Sequence, residues 1–137
     1  MGKMVILRAL LIGLFLSCGV SADIAEDFRR LNDLAADVLR VPVRDREAGW
    51  NLDEAISKRF PNGAMYAEIV SELRSIHAQH PDSSEIDLST YEHTVCLTLF
   101  VRFSGEGRKG REDLDIYIKF SDARVVSTRR IRSSWGE

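Results

Sequence analysis

Between residues 23 and 40, Ile24, Phe28, Leu31, Leu34, Ala35, Val38 and Leu39 recur at helical spacing, with Arg29, Arg30, Asp33 and Asp37 opposite them. An amphipathic helix follows from that stripe. Pro42 ends it, because its ring removes a donor and biases the preceding residue away from helix. A polar stretch through Arg44, Asp45, Arg46 and Gly49 leads to Trp50, which is expected to anchor the linker against the core. Asn51 with Glu54 three residues later resembles a capping box, so a short helix is predicted from Leu52 to about Phe60 with Ala55, Ile56 and Phe60 inward. Pro61-Asn62-Gly63 is a turn signal, and Met65, Ile69, Leu73 and Ile76 form the stripe of a further helix over about Ala64 to His77. Pro81 stops it, and Asp82, Ser83, Ser84 and Glu85 read as a polar loop.

From Tyr91 the period becomes two. Tyr91, His93, Val95, Leu97, Leu99, Val101 and Phe103 alternate with Glu92, Thr94, Cys96, Thr98, Phe100 and Arg102, which predicts a long strand with one apolar face. After a glycine-containing loop, Leu114, Ile116, Ile118 and Phe120 alternate with Asp113, Asp115, Tyr117 and Lys119 in a second strand. Ser121-Asp122-Ala123 turns the chain into a third strand, from Arg124 to about Arg132, where apolar and basic residues mix on both faces. A bulge that switches face, or an edge strand protected by inward charge, would each produce that mixture. The expected fold is α+β: N-terminal helices over about 23–80, packed on one face of a three-stranded antiparallel β-meander over about 89–134. Trp135 is expected to fold back onto a hydrophobic rim.

The first residues follow a different rule. Lys3 and Arg8 precede an apolar run from Ala9 to Ser17, and Val20-Ser21-Ala22 supplies small residues before Asp23. That run is too short to cross a bilayer as a helix, so residues 1–22 are expected to be a signal peptide and 23–137 a single exported domain. Phe15-Leu16-Ser17-Cys18 matches a lipoprotein box only at its last two positions. Cys18 is the alternative point of processing: lipidation there would tether an outer-membrane lipoprotein, whereas cleavage after Ala22 gives a periplasmic or secreted chain. Loss of Cys18 would leave Cys96 with no internal disulfide partner.

Composition excludes collagen-like, low-complexity and disulfide-scaffold classes: 45% of the 137 residues are hydrophobic, 29% are charged, and there are two cysteines. The formal net charge of −2 hides a division, since the chain before residue 91 is acidic and the chain after it basic. Arg102, Lys119, Arg124, Arg129, Arg130 and Arg132 could form a stripe on the exposed sheet face, with Phe100 and Tyr117 beside it. An acidic exported domain is not expected to meet nucleic acid, so the stripe points to a protein or an anionic envelope component. Arg102, Lys119, Arg130, Arg132, Phe100 and Tyr117 are the candidate partner-binding residues.

Catalytic, cofactor and metal readings are weaker. Gly105-Glu106-Gly107-Arg108-Lys109-Gly110 has dinucleotide-fingerprint spacing, but a strand follows it where that chemistry needs a helix N-terminus, which leaves a flexible basic hairpin tip. His77, His80 and Asp82 are too few for a metal site and fit a helix C-terminus, and His93 is expected on the inner sheet face. Asp113 and Asp115 fit cross-strand ion pairs with Arg102, Arg130 or Arg132. No cofactor and no catalysis are expected; a periplasmic inhibitor or immunity-type protein is the first alternative and a small hydrolase the second.

Phe60-Pro61-Asn62-Gly63 before a helix, and a meander containing Phe120-Ser121-Asp122-Ala123-Arg124-Val125, resemble the SmpA/OmlA-like small envelope proteins, which include an accessory lipoprotein of the outer-membrane assembly machine. The resemblance spans roughly residues 60–131. It implies a non-catalytic binding or scaffold module.

Overall fold

A computed structural model describes residues 19–136. The chain runs through helices α1 (Gly19–Val38), α2 (Val43–Arg46), α3 (Leu52–Arg59) and α4 (Tyr66–Gln79), then strands β1 (Ser84–Asp87), β2 (Thr94–Arg102), β3 (Gly110–Ser121) and β4 (Arg124–Gly136). The α+β class is as expected, with one correction: the antiparallel sheet has four strands in the order β1-β2-β3-β4. β1 begins inside the segment Asp82–Glu85 that reads as a polar loop, and runs in register from Ser84 opposite Leu99 to Asp87 opposite Cys96. The apolar run Ala9 to Ser17 and Cys18 lie outside the described residues, and no helix among the described residues is long and apolar enough to cross a membrane.

Local chemistry sets the helix ends. α1 stops in a Schellman motif, with Val41 N–H donating to Ala36 O at 2.9 Å and Arg40 N–H to Asp37 O at 3.2 Å. Arg40 takes the left-handed conformation (φ 57°) usually left to glycine, so the helix is closed before Pro42 is reached. The α3 cap is the expected one, Asn51 Oδ1 accepting from Glu54 N–H at 3.0 Å. At the end of α4, His77 Nδ1 lies 3.1 Å from both oxygens of buried Ser84, whose hydroxyl donates to His80 O. The two histidine positions thus hold the start of β1 against the helix.

Helices and sheet meet on Leu31, Ala35, Ile56, Phe60, Ile69, Leu73 and Ile76 from one layer and Val95, Leu97, Leu99, Leu114, Ile116 and Ile118 from the other. Trp50 packs against this core as expected. The turn at Asn62-Gly63 lies along β4: Gly63 N–H donates to Val125 O (2.8 Å), Val125 N–H to Ala64 O (2.9 Å) and Tyr66 N–H to Ala123 O (2.8 Å).

Two expectations about strand ends fail. Tyr91–His93 forms a 3-10 turn with Glu92 and His93 at positive φ, so β2 begins at Thr94 and His93 is exposed rather than on the inner face. Alternation alone does not register such a backbone reversal. Trp135 does not fold back, because β4 continues to Gly136 and leaves its side chain 59% exposed.

The mixed pattern of the third predicted strand has both of the physical causes considered. Pairing steps from Lys119 opposite Ser127 to Phe120 opposite Val125, so Val126 is an extra residue that switches the facing of the strand. β4 is also an edge. Val125 therefore points into the core at 2% exposure, while beyond the bulge Thr128, Arg130 and Arg132 take the helix-facing side, opposite Ile118, Ile116 and Leu114.

The hairpin joining β2 to β3 is docked, contrary to the free tip expected. Asp27 on α1 is fully buried and accepts from Ser104 N–H (2.9 Å), Ser104 Oγ (2.6 Å) and Arg108 Nη1 (2.8 Å). Arg108 also stacks over Phe103, 4.6 Å from the ring centroid. Gly110 closes the loop at φ +126°, where an added Cβ would lie 1.8 Å from Trp135 O. This glycine serves strand packing, not a nucleotide. Gly110→Ala is expected to destabilise by about 2 kcal/mol and to unprotect the adjoining β4 amides in hydrogen exchange. Gly107→Ala, with nothing near its Cβ, is expected to cost about 1 kcal/mol. An equal effect at the two positions would show that the strand end yields freely.

Candidate functional site

The register divides the predicted partner-binding residues between two surfaces. Phe100, Arg102, Tyr117 and Lys119 share the outer, uncovered face, whereas Arg130 and Arg132 lie on the helix side. A single basic stripe is therefore not formed. On the outer face Glu85, Asp87, Asp113 and Asp115 stand among Arg102, Arg111, Lys119, Arg129 and, at the turn into β4, Arg124. Arg111 pairs with Glu85 (2.8 Å) and Asp113 (2.9 Å), so the ion pairs expected for Asp113 from Arg102, Arg130 or Arg132 go to Arg111, and Asp115 accepts from Thr98 Oγ1 at 2.6 Å. Phe100 is only 5% exposed, roofed by the guanidinium groups of Arg111 (4.2 Å) and Arg102 (5.8 Å), and Arg129 covers Tyr117 at 5.1 Å. Those arginines are engaged by their own neighbours.

Cys96, on the same face, is a poor nucleophile. Burial pushes its thiol pKa up to about 11, only partly offset by the Thr98 hydroxyl. Reaction with a disulfide reagent near neutral pH is expected to be at least about a hundredfold slower than for an exposed thiol, recovering in urea. A rate equal to that of free cysteine would contradict this account.

The helix side of β4 is different. Here α1 and the start of α3 meet the sheet across a groove of about 710 Å3, with Arg130 and Arg132 on one side, Phe28, Asn32 and Asp33 of α1 on another, and Trp50 to Asp53 closing it. Arg130 Nε reaches Asp53 Oδ1 at 2.7 Å, and this hydrogen bond holds the Asp53 carboxyl below its usual range. Arg132 donates from Nη2 to Asn32 Oδ1, and its guanidinium lies 4.3 Å from the Phe28 ring centroid. Its other terminal nitrogen, Nη1, is buried without a hydrogen-bond partner among the described residues. Burial, and then the like charge of Arg130, lower the Arg132 pKa from its ordinary value. The groove thus holds two guanidinium groups beside a half-exposed aromatic ring, with one strong donor unspent.

A second hollow, about 640 Å3, lies across the Gly49–Asn51 strap and is lined by Leu39, Val41, Pro42, Trp50 and Ala55 together with Arg40 and Lys58. Trp50 borders both. Neither hollow gathers a nucleophile beside a base, and among the described residues no three His, Cys, Asp or Glu side chains converge as a metal site.

Sequence reasoning named Arg130 and Arg132 but missed Phe28, Asn32 and Asp53. Phe28 read as part of the α1 core stripe, although it is 47% exposed. The available signal was the paired arginines at alternate strand positions with no apolar residue between them on their face. Compared with protein-family models, with curated proteins and with solved structures, the chain matches none.

Proposed function

We propose that this is an exported, non-catalytic binding or scaffold protein of the bacterial cell envelope, and that it recognises an anionic group of an envelope component in the groove between β4, α1 and α3. The observation that carries this reading is Arg132, whose Nη1 is withdrawn from water and has no hydrogen-bond partner among the described residues, beside a second guanidinium and an accessible aromatic ring. A buried donor without an acceptor is costly, and an incoming carboxylate or phosphate oxygen removes that cost through a charge-assisted bond. The outer sheet face offers less, since Arg111 there is already paired with Glu85 and Asp113 and its guanidinium covers Phe100. The basic residues and apolar run of the first 22 positions support the envelope setting.

The test is affinity capture from the envelope fraction of the source organism using tagged protein. Arg130→Glu with Arg132→Glu is expected to abolish capture of the component that the wild type retains, and Lys119→Glu on the outer face to leave it unchanged. Equal capture by the wild type and the groove variant would overturn the proposal.

A further inference from the structure

The groove opens along a sheet edge, and the chemistry of that edge specifies the occupant more narrowly. Resting on the reading that the groove takes an anion, we infer that its ligand is an extended acidic segment of another protein, which adds as a fifth strand to the free edge of β4. The edge already accepts backbone in this way, since Gly63 and Ala64 exchange both main-chain hydrogen bonds with Val125. Beyond Val125 no described residue bonds to that side, although β4 continues to Gly136. From Thr128 onward every second residue (Thr128, Arg130, Arg132 and Ser134) therefore turns its N–H and C=O outward, a template for main-chain pairing.

Charge decides which chain fits. β4 carries Arg124, Arg129, Arg130 and Arg132 and no carboxylate. Two copies paired antiparallel through this edge would bring arginines opposite arginines, which is destabilising. Inward charges on an edge strand ordinarily prevent pairing with any neighbouring sheet. Against a strand with carboxylates at alternate positions the same charges become the selecting feature. Its acidic side chains would meet Arg130 and Arg132, supplying an acceptor to Arg132 Nη1, and its intervening side chains would lie by Ile131 (42% exposed) and Trp135 (59% exposed) on the other face. Asp53 is a yielding competitor for Arg130, because that pair is solvent-exposed and such pairs contribute little net stability.

The probe is an end-blocked peptide of roughly eight residues alternating glutamate and valine, a usual strand length, with two further versions N-methylated on one or the other set of alternate amides. Saturable binding by tryptophan fluorescence is expected, together with new hydrogen-exchange protection of alternate β4 amides beyond Val125. Arg130→Gln with Arg132→Gln, shown to be folded by circular dichroism, is expected to weaken binding at least about tenfold. One methylated version is expected to fail and the other to bind. If both methylated versions bind like the parent, or if no peptide binds while envelope capture still depends on Arg130 and Arg132, strand addition is wrong and the anion groove stands. If no peptide binds and capture ignores both arginines, both readings fall. A concentration-dependent dimer by sedimentation that the peptide dissolves would place a second copy on the edge and overturn the inference.

Discussion

Asp27→Ala is expected to destabilise the protein by about 3 kcal/mol in urea denaturation, because it removes a buried carboxylate that ties α1 to the β2–β3 hairpin. Ser104 would lose an acceptor for both its amide and its hydroxyl, and the Arg108 side chain, itself 22% exposed, would keep a charge facing an empty site. Asp27→Asn is expected to lose about half as much, since an amide oxygen still accepts from Ser104 but no longer neutralises Arg108. A change below about 0.5 kcal/mol for Asp27→Ala would mean that the hairpin is held by other contacts.

The same carboxylate gives a pH signature. Burial alone would raise the Asp27 pKa, but the Ser104 hydroxyl and amide and the Arg108 guanidinium outweigh it and hold the folded value below the ordinary one. The unfolded carboxylate, near ~3.9, therefore takes its proton first as acid is added. Stability from this group is complete above that value and is lost as pH falls through the lower folded one. Asp113 has the opposite sign: burial raises its folded pKa against the pull of Arg111, so its favourable contribution lies at low pH and is lost as pH rises through the raised value. The difference between wild type and Asp27→Asn isolates the first effect, and is expected to shrink on acidification below about pH 4. A difference that stays constant across this range would contradict the buried ion pair.

What the chain discloses locally, it discloses well. The α3 cap at Asn51, the α4 stripe Ile69, Leu73 and Ile76, and the alternation Leu114, Ile116 and Ile118 depend on neighbours within a few residues, and each takes its expected place. β1 was illegible because Ser84-Glu85-Ile86-Asp87 contains one large apolar residue and becomes a strand only by pairing with Leu99 to Cys96. Asp27 was equally silent, since its partners Ser104 and Arg108 are distant in sequence and meet it only after the sheet has docked on α1. The groove depended on two facts that no pattern of residues carries. One is that Val126 bulges, and the other is that α1 and the start of α3 meet this part of the sheet across a groove, which Arg130 and Arg132 line from the inner face.

Phe60→Ala tests how far that groove depends on the core behind it. The ring is fully buried at the end of α3, within the cluster that includes Ile56, Ile69 and Leu73, and the guanidinium of Arg59 lies 5.9 Å from its centroid. Truncation leaves a void that neighbouring side chains from two helices and the sheet can only partly fill, with an expected loss of about 4 kcal/mol. For a domain of this size that corresponds to a fall in melting temperature of roughly 12–20 °C. Phe60→Leu keeps most of the volume and is expected to lose about 1 kcal/mol. Phe60 also joins the two supports of the candidate site, because α3 before it carries Asp53 into the groove and Gly63 and Ala64 after it hold Val125 at the start of the β4 edge. At a temperature where it is still folded by circular dichroism, Phe60→Ala is therefore expected to bind the acidic peptide more weakly than Phe60→Leu does. Equal affinity in the two folded variants would show that Arg130 and Arg132 are positioned by the sheet alone, with the helical wall of the groove contributing nothing to recognition.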